Sequence, residues 1–390
     1  LNTKGTQTSF MITLISERSL KSIMRKRGKI AVAMAIVTAT SSVLPMVAQA
    51  ADNNMDYRRK VVGIAGIMSV SSDLTTSVTR GEFAQMLVKA STYRDYLTST
   101  SNVSVYSDVP ATHTYASSIR MAAEKQWMVG YLGGQFKPDQ AITLQEAVRG
   151  LLALLGYTNE DFATNTVGAR MAMYYSLELN DEVDRQQTEI LNRQDCINLF
   201  YNLLKTDSKT TGKAYATVLG CELNSDGEVN PMGLADTDLK GPKLIPKGSV
   251  LGNYIPFNVQ QASIFIDGEA SSYEILKQHI SNDYVVVYYN TTAKTIWAYV
   301  ADSVDEIQSG RCAIRGTVEN IYYSSSDVMT PTSITLDGDD NEYKLTNSQM
   351  QFAFSIYGSL RVGDTVTLIC EKTVNSNGDA TYTIVDYVED

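Results

Sequence analysis

The amino-terminal part of this chain is organised around the stretch Ile142-Thr143-Leu144-Gln145-Glu146-Ala147. Thr143 followed three residues later by Glu146 is a capping box. The threonine oxygen can accept the amide proton of the third helical residue, and the glutamate can reach back to the threonine amide. Apolar residues then recur along one helical face at Ala147, Leu151, Leu154 and Leu155. The sequence therefore predicts a helix that begins near Thr143 and buries one side.

The same box occurs twice more. Upstream it pairs Thr79 with Glu82, and downstream it pairs Asn192 with Asp195, a shorter acid. The three caps are 64 and 49 residues apart, and recurrence near 50 residues is typical of a repeat array. We therefore assign the helix caps to Thr79, Glu82, Thr143, Glu146, Asn192 and Asp195.

A longer set of motifs surrounds the middle box. It comprises Tyr106-Ser107-Asp108-Val109-Pro110, His113, an apolar helix, Gly130-Tyr131, Gly134-Gln135-Phe136-Lys137-Pro138-Asp139 and Ile142-Thr143. In this order the motifs resemble an S-layer homology (SLH) repeat. The resemblance implies three repeats, a first at 56–97, a best-preserved second at 105–157 and a degenerate third at 163–206. The second repeat departs from the family pattern at three positions. The family has tryptophan at the position of Thr114, often has aspartate at that of Gly133, and has arginine at that of Leu144.

The helical period ends near residue 206. Glycines and prolines punctuate residues 207–247, which we interpret as a linker. Beyond it, runs rich in Val, Ile, Tyr and Thr alternate with turn signals and predict antiparallel strands. We expect β modules at 248–305 and 310–390, the second resembling a small barrel of the OB type. The predicted fold class is a multidomain α+β chain, in which an all-α SLH unit with pseudo-threefold symmetry precedes all-β small barrel or sandwich modules.

Residues 1–50 have the features of a secretory signal peptide. A basic segment, Arg25-Lys26-Arg27-Gly28-Lys29, precedes a small apolar run at 30–47, and Ala48-Gln49-Ala50 fits a cleavage site. The apolar run is shorter than the ~20 residues that a membrane span needs. We therefore expect a mature chain from near Ala51, secreted to the wall of a Gram-positive bacterium, with no membrane span after cleavage.

Charge and cysteine content exclude several classes. The chain has a net charge of −10, and residues 1–50 contribute seven basic residues and one acid. The remainder is strongly acidic, which argues against nucleic-acid binding. Four cysteines are widely spaced without a C-x-x-C motif, which argues against a zinc ribbon. A single bridge such as Cys312–Cys370 stays open.

Arg80 and Arg193 are the main candidates for ligand binding. Each is the first helical residue after a cap, where helix amides and a guanidinium together favour an anion. In SLH proteins the arginine of the T-R-A-E motif contacts pyruvylated secondary cell-wall polysaccharide, so the resemblance assigns this role to Arg80, beside Thr79, and to Arg193. Gly130 and Tyr131 match the family's loop and are candidates for lining a sugar groove. The alternative is a structural turn with Tyr131 packed on Phe136.

The sequence offers little for catalysis. Of its two histidines, His113 stands where the SLH family keeps a structural histidine, and His279 has no recognisable partner. No H-E-x-x-H, G-x-S-x-G or Walker motif occurs. We expect no enzyme activity, no cofactor and no metal. The expected function is non-covalent anchoring to secondary cell-wall polysaccharide, with the β modules available to other surface proteins. Three alternatives remain: an S-layer structural subunit, a wall enzyme with its catalytic domain in the β region or beyond residue 390, and repeats that mediate only protein contacts.

Overall fold

The computed structural model describes residues 43–69, 73–96, 104–162, 166–224, 227–301, 310–324 and 327–389. The predicted signal peptide at 1–50 lies outside these residues except for 43–50, which belong to the first helix. Among the helices of the described ranges, none combines the length and the apolar character needed to cross a membrane.

The described amino-terminal part contains three pairs of helices. The first pair is α1, Val43–Ile64, and α2, Arg80–Lys89. The second is α3, Ala116–Glu124, and α4, Leu144–Leu154, and the third is α5, Val167–Ser176, and α6, Arg193–Lys205. The first helix of each pair packs against the second helix of another, α3 on α2, α5 on α4, and α1 on α6. The three pairs therefore close into a ring.

A cycle of three backbone hydrogen bonds lies at the centre of this ring. The amide of Val78 donates to the carbonyl of Leu191 at 3.0 Å, that of Leu191 to Ile142 at 2.9 Å, and that of Ile142 to Val78 at 2.9 Å. All three residues are buried and each stands directly before a helix cap. The cycle therefore joins the three helix starts at one place.

Apolar side chains fill the space between the second helices. Phe83 of α2 meets Phe200 of α6 with ring centroids 5.5 Å apart. Gly150 lies within α4, although glycine costs a helix about 1 kcal/mol relative to alanine. A Cβ there would lie 2.5 Å from Cδ1 of Leu87. The glycine therefore allows α2 and α4 to approach closely.

The predicted linker at 207–247 is wrong as a description of the structure, because much of it is packed. It contains two 3-10 turns, Tyr215–Leu219 and Gly233–Asp238, and a strand, β1, Leu239–Ile245. Tyr215 is buried, and its hydroxyl donates to the carbonyl of Ala90 at 2.9 Å. Glycines such as Gly220, which has a φ of 78°, shape turns in this segment.

The first β unit is a five-stranded mixed sheet. Its other strands are β2, Ser263–Ile266, β3, Glu269–Ser271, β4, Val285–Asn290, and β5, Thr295–Val300, in the order β1-β4-β5-β2-β3. Strands β2 and β5 are parallel, whereas the sequence predicted antiparallel pairing throughout. A helix, α7, Tyr273–Asn282, lies between them in the chain. Parallel neighbours need such a crossover, so this module is not all-β.

The second β unit is a closed five-stranded barrel. Its strands are β6, Gly310–Ser324, β7, Asp327–Leu336, β8, Tyr343–Lys344, β9, Thr365–Val374, and β10, Ala380–Glu389. The order around the barrel is β10-β8-β7-β6-β9, with β8 and β10 parallel. A short helix, α8, Ser348–Phe354, precedes β9. The order is compatible with an OB-type barrel, although α8 again departs from an all-β module.

The mixed sheet packs directly on the helical ring. Nζ of Lys60 on α1 donates to the carbonyls of Ile264 at 3.1 Å and Ser271 at 2.6 Å. The ring of Tyr57 meets Phe265 edge-on at 5.7 Å. The sheet is therefore continuous with the core of the ring and is not held at a distance by a flexible connection.

Candidate functional site

The three helix starts are built alike. The amide of Thr79 donates to Oε2 of Glu82 at 2.8 Å, and the amide of Glu82 donates back to the threonine hydroxyl at 3.2 Å. Asn192 and Asp195 exchange the same two bonds, each at 2.9 Å. In the middle start, the amide and hydroxyl of Thr143 both donate to Oε2 of Glu146 at 3.0 Å. The structure therefore places the six candidate capping residues in three equivalent boxes.

The next amides of each helix are already bonded. The amide of Arg80 donates to the carbonyl of Gln140, and that of Gly81 to Pro138, both at 2.9 Å. Equivalent bonds join Leu144 to Glu189, Gln145 to Gln187, Arg193 to Thr76 and Gln194 to Leu74. The sequence-based argument that these amides could receive an anion therefore requires correction. A ligand at a helix start would have to be held by side chains.

Arg80 is enclosed by the loop of the second helix pair. Its side chain is 2% exposed, with Nε donating to the carbonyl of Phe136 at 2.9 Å and Nη2 to that of Val129 at 2.8 Å. Nη1 pairs with Oε1 of Glu146 at 2.7 Å. The guanidinium also lies over the rings of Tyr131 and Phe136, 4.8 and 4.6 Å from their centroids. Arg80 therefore cross-links the first and second helix pairs.

Glu146 has a second function besides capping. Its Oε1 also accepts the Tyr131 hydroxyl at 2.6 Å. Burial alone would raise the pKa of Glu146, but the bonds from Tyr131 and Thr143 and the charge of Arg80 outweigh it and lower the pKa. Burial and the bond to Glu146 raise the pKa of Tyr131. The carboxylate thus stays charged and the phenol stays a donor.

Two residues, Asp108 and Gly130, fix the loop that covers Arg80. Oδ1 of Asp108 accepts the amide of Phe136 at 2.8 Å, and Oδ2 accepts that of Lys137 at 2.7 Å. A Cβ on Gly130 would lie 2.3 Å from the ring of Tyr106. Gly130 therefore serves close packing, and Asp108 is a positioning residue that the sequence reasoning did not single out.

Arg193 has a different environment from Arg80. It is half-buried, and its guanidinium makes no hydrogen bond or ion pair with any residue of the described ranges. Tyr115 and Glu82 are close by: burial and then the charge of Glu82 raise the pKa of Tyr115, and the charge of Arg193 opposes that rise. Of the two candidate arginines, Arg193 is the one whose donors are available.

The turn beside Arg193 is held by Asp73. Its Oδ1 accepts the amide and the hydroxyl of Thr75, each at 3.0 Å, and its Oδ2 accepts the hydroxyl of Thr76. These bonds lower the pKa of Asp73 to about 2. Since the carbonyl of Thr76 receives the Arg193 amide, the turn fixes the backbone at this helix start.

The middle helix start lacks the arginine. Leu144 is fully buried there. The acid of the third box, Asp195, is instead paired with Arg185, whose Nε donates to Oδ2 at 2.9 Å. Sequence reasoning missed Arg185, because it lies on the preceding loop and not at the position that the motif predicts. Asp195 is the acid that an arginine at position 144 would have paired with. Because Leu144 stands there, the motif leaves Asp195 without a basic partner, and this gap could have prompted a search for one such as Arg185.

The described residues contain no group of His, Cys, Asp or Glu side chains arranged to hold a metal ion. The four cysteines are buried and unbridged. The predicted site residues thus fall into two places. Thr79, Arg80, Gly130 and Tyr131 come together in a closed site, and Arg193 lies in an open one.

Comparison with known proteins identifies the domain that contains the second pair. The sequence model of the S-layer homology domain matches residues 105–148. A search of curated proteins finds no match to the chain. Domains of this kind associate with the cell surface or the cell wall in general. The chain is therefore an S-layer homology domain-containing protein.

Proposed function

We propose that the three helix pairs are three SLH repeats that anchor the protein non-covalently to acidic secondary cell-wall polysaccharide, in particular a pyruvylated one. The support is the ring arrangement, in which each pair presents an equivalent helix start to the next. The proposal assigns the protein a binding role and no reaction.

The observation that carries the proposal is the available guanidinium of Arg193. A planar guanidinium can bind a carboxylate through two parallel hydrogen bonds. Hydrogen bonds to charged groups contribute about 1.5–3 kcal/mol each. The nearby acid, Glu82, already accepts the Thr79 amide, which offsets part of its repulsion of a sugar carboxylate.

Arg80 would contribute differently. Its donors are engaged by Glu146 and by two backbone carbonyls, and the ring of Tyr131 lies against both Arg80 and Lys137. A carboxylate could reach Arg80 only by replacing Glu146. We therefore place the main contact at Arg193 and regard the site around Arg80, with Thr79, Gly130 and Tyr131, as closed in this state.

Sedimentation with purified cell walls tests the proposal. Wild-type protein should sediment with walls that carry pyruvylated polysaccharide and should stay in solution with walls from which the pyruvate has been removed. Arg193→Gln should reduce sedimentation, whereas Arg59→Gln is the matched control because Arg59 lies on α1 and is paired with Asp56. Equal sedimentation of both variants would show that Arg193 does not contribute to the binding site. If the wild type did not sediment with the walls, the proposed anchoring function would be wrong.

A further inference from the structure

Two of the four cysteines face each other across neighbouring strands of the barrel. Cys312 lies on β6 and Cys370 on β9, and the two residues are direct partners in the antiparallel ladder. Residues paired in this way have Cα atoms about 4.5–5.5 Å apart. A disulfide needs Cα atoms about 4.4–6.8 Å apart. The backbone therefore already provides the separation that a bridge requires.

The two thiols also lie on the same side of the ladder. Cys312 and Cys370 both belong to the apolar core of the barrel. The adjacent pair in the ladder, Ala313 and Ile369, belongs instead to the core shared by the helical ring and the mixed sheet. Sγ of Cys312 lies 3.6 Å from the carbonyl oxygen of Cys370. The alternation of the strands therefore directs both sulfur atoms into the barrel, where they are neighbours.

The other two cysteines have different surroundings. Cys196 lies on α6 in the helical ring, and Cys221 lies in the segment between the ring and the mixed sheet. Sγ of Cys221 donates to the carbonyl of Asn230 at 3.1 Å. Neither residue belongs to a strand, so neither has a cysteine opposite it in a ladder. They serve as internal references for the thiol chemistry of the barrel.

The folded barrel shields both of its thiols. Cys312 and Cys370 are fully buried. Burial raises the pKa of Cys312 to about 12 and holds the pKa of Cys370 well above its usual range. The thiolate is the form of cysteine that attacks a disulfide. These thiols should therefore react while β6 and β9 are still coming together, before the barrel closes over them.

We propose that Cys312 and Cys370 are a modification site, a thiol pair that closes to a disulfide when the chain folds in the presence of a small-molecule disulfide. One cysteine thiolate attacks a sulfur of the small disulfide and releases one small thiol. The second cysteine then attacks the protein sulfur of this mixed disulfide and releases the other small thiol. The two cysteines lose two protons and two electrons in total, and the small disulfide is reduced to two thiols. The new bond joins positions 58 residues apart and restricts the unfolded chain.

Refolding of the reduced, unfolded intact chain tests this site without involving polysaccharide. One sample refolds with oxidised and reduced glutathione, and the other refolds with reduced glutathione alone. Remaining thiols are then alkylated under denaturing conditions. Peptide mass spectrometry should find Cys312 joined to Cys370 in most of the first sample, with the mass of the two peptides less two hydrogen atoms. Cys196 and Cys221 should be alkylated in both samples.

Three results of this mapping would overturn the proposal. They are the absence of a bridge, bridges to Cys196 or Cys221 that are as frequent as the one between Cys312 and Cys370, and glutathione retained on either barrel cysteine in place of the bridge. Because the mapping uses the wild-type chain, its outcome does not depend on whether a variant folds.

Thermal unfolding provides a second readout, which tests whether the bridge fits the folded barrel. The oxidised wild-type sample should unfold roughly 5–15 °C above the reduced one. This difference should disappear when Cys312→Ala and Cys370→Ala are combined. It should persist in the matched control that combines Cys196→Ala with Cys221→Ala. An equal or lower midpoint in the oxidised wild type, or an undiminished difference without the barrel cysteines, would also overturn the proposal.

Discussion

Replacement of Arg80 by methionine should destabilise the helical ring strongly. Methionine keeps much of the apolar stem but removes the donors that bond Glu146, Phe136 and Val129. The pair with Glu146 is well shielded, with side-chain exposures of 2% for Arg80 and 21% for the glutamate. Removing one partner of such a pair costs about 3–5 kcal/mol. We expect a loss of this size in the free energy of unfolding.

Urea unfolding followed by far-ultraviolet circular dichroism measures this loss. Arg193→Met is the matched control, since its guanidinium has no partner in the described ranges, and it should change the free energy by no more than about 0.5 kcal/mol. Adding Glu146→Gln to Arg80→Met should recover part of the loss, because it removes the unpaired charge. A loss below about 1 kcal/mol would be typical of an exposed ion pair and would refute the cross-link.

The acid dependence of stability follows from the same pair. The pKa of Glu146 is lowered in the folded state from its usual 4.5. Its contribution is therefore fully present above pH 4.5 and is lost as the pH falls through the lowered value. In Arg80→Met this dependence should be weaker, which unfolding midpoints measured at pH 6, 4 and 3 would show. An unchanged dependence would mean that Arg80 does not lower the pKa of Glu146.

The remaining predictions concern the loops beside the helix starts. Gly130→Ala should cost about 1–3 kcal/mol through its collision with Tyr106, measured by urea unfolding. Asp108→Ala should cost a similar ~1–3 kcal/mol because two loop amides lose their acceptor, and hydrogen exchange at Phe136 should accelerate. Asp73, with a pKa of about 2, should hold its turn above pH 4 and release it as the pH falls towards 2, visible as a shift of the Thr76 amide resonance in nuclear magnetic resonance spectra.

The starts of the three capped helices could be predicted from interactions between residues close together in the chain. Thr79, Thr143 and Asn192 stand at the three caps because a capping box depends on residues only three apart in the chain. The runs rich in Val, Ile, Tyr and Thr likewise predicted that strands form both units beyond residue 247. In each case the interaction that decides the local structure is short-range, so the sequence pattern carries it.

Contacts between residues far apart in the chain could not be predicted from sequence patterns. Arg80 reaches Glu146 across 66 residues, and Arg185 takes over a charge that no motif assigns to it. Tyr215 packs against the carbonyl of Ala90 across 125 residues, so a segment rich in turn residues becomes part of the core. Burial and pairing of this kind depend on the assembled ring and leave no periodic signal.

The availability of Arg193 for an acidic sugar is tested most directly by equilibrium binding of purified pyruvylated wall polysaccharide to the intact chain. We predict saturable binding to wild type, weakened roughly ten- to a hundredfold in Arg193→Gln, and no binding of the polymer after its pyruvate is removed. Equal affinity of wild type and Arg193→Gln, or equal binding of the polymer with and without pyruvate, would contradict the assignment.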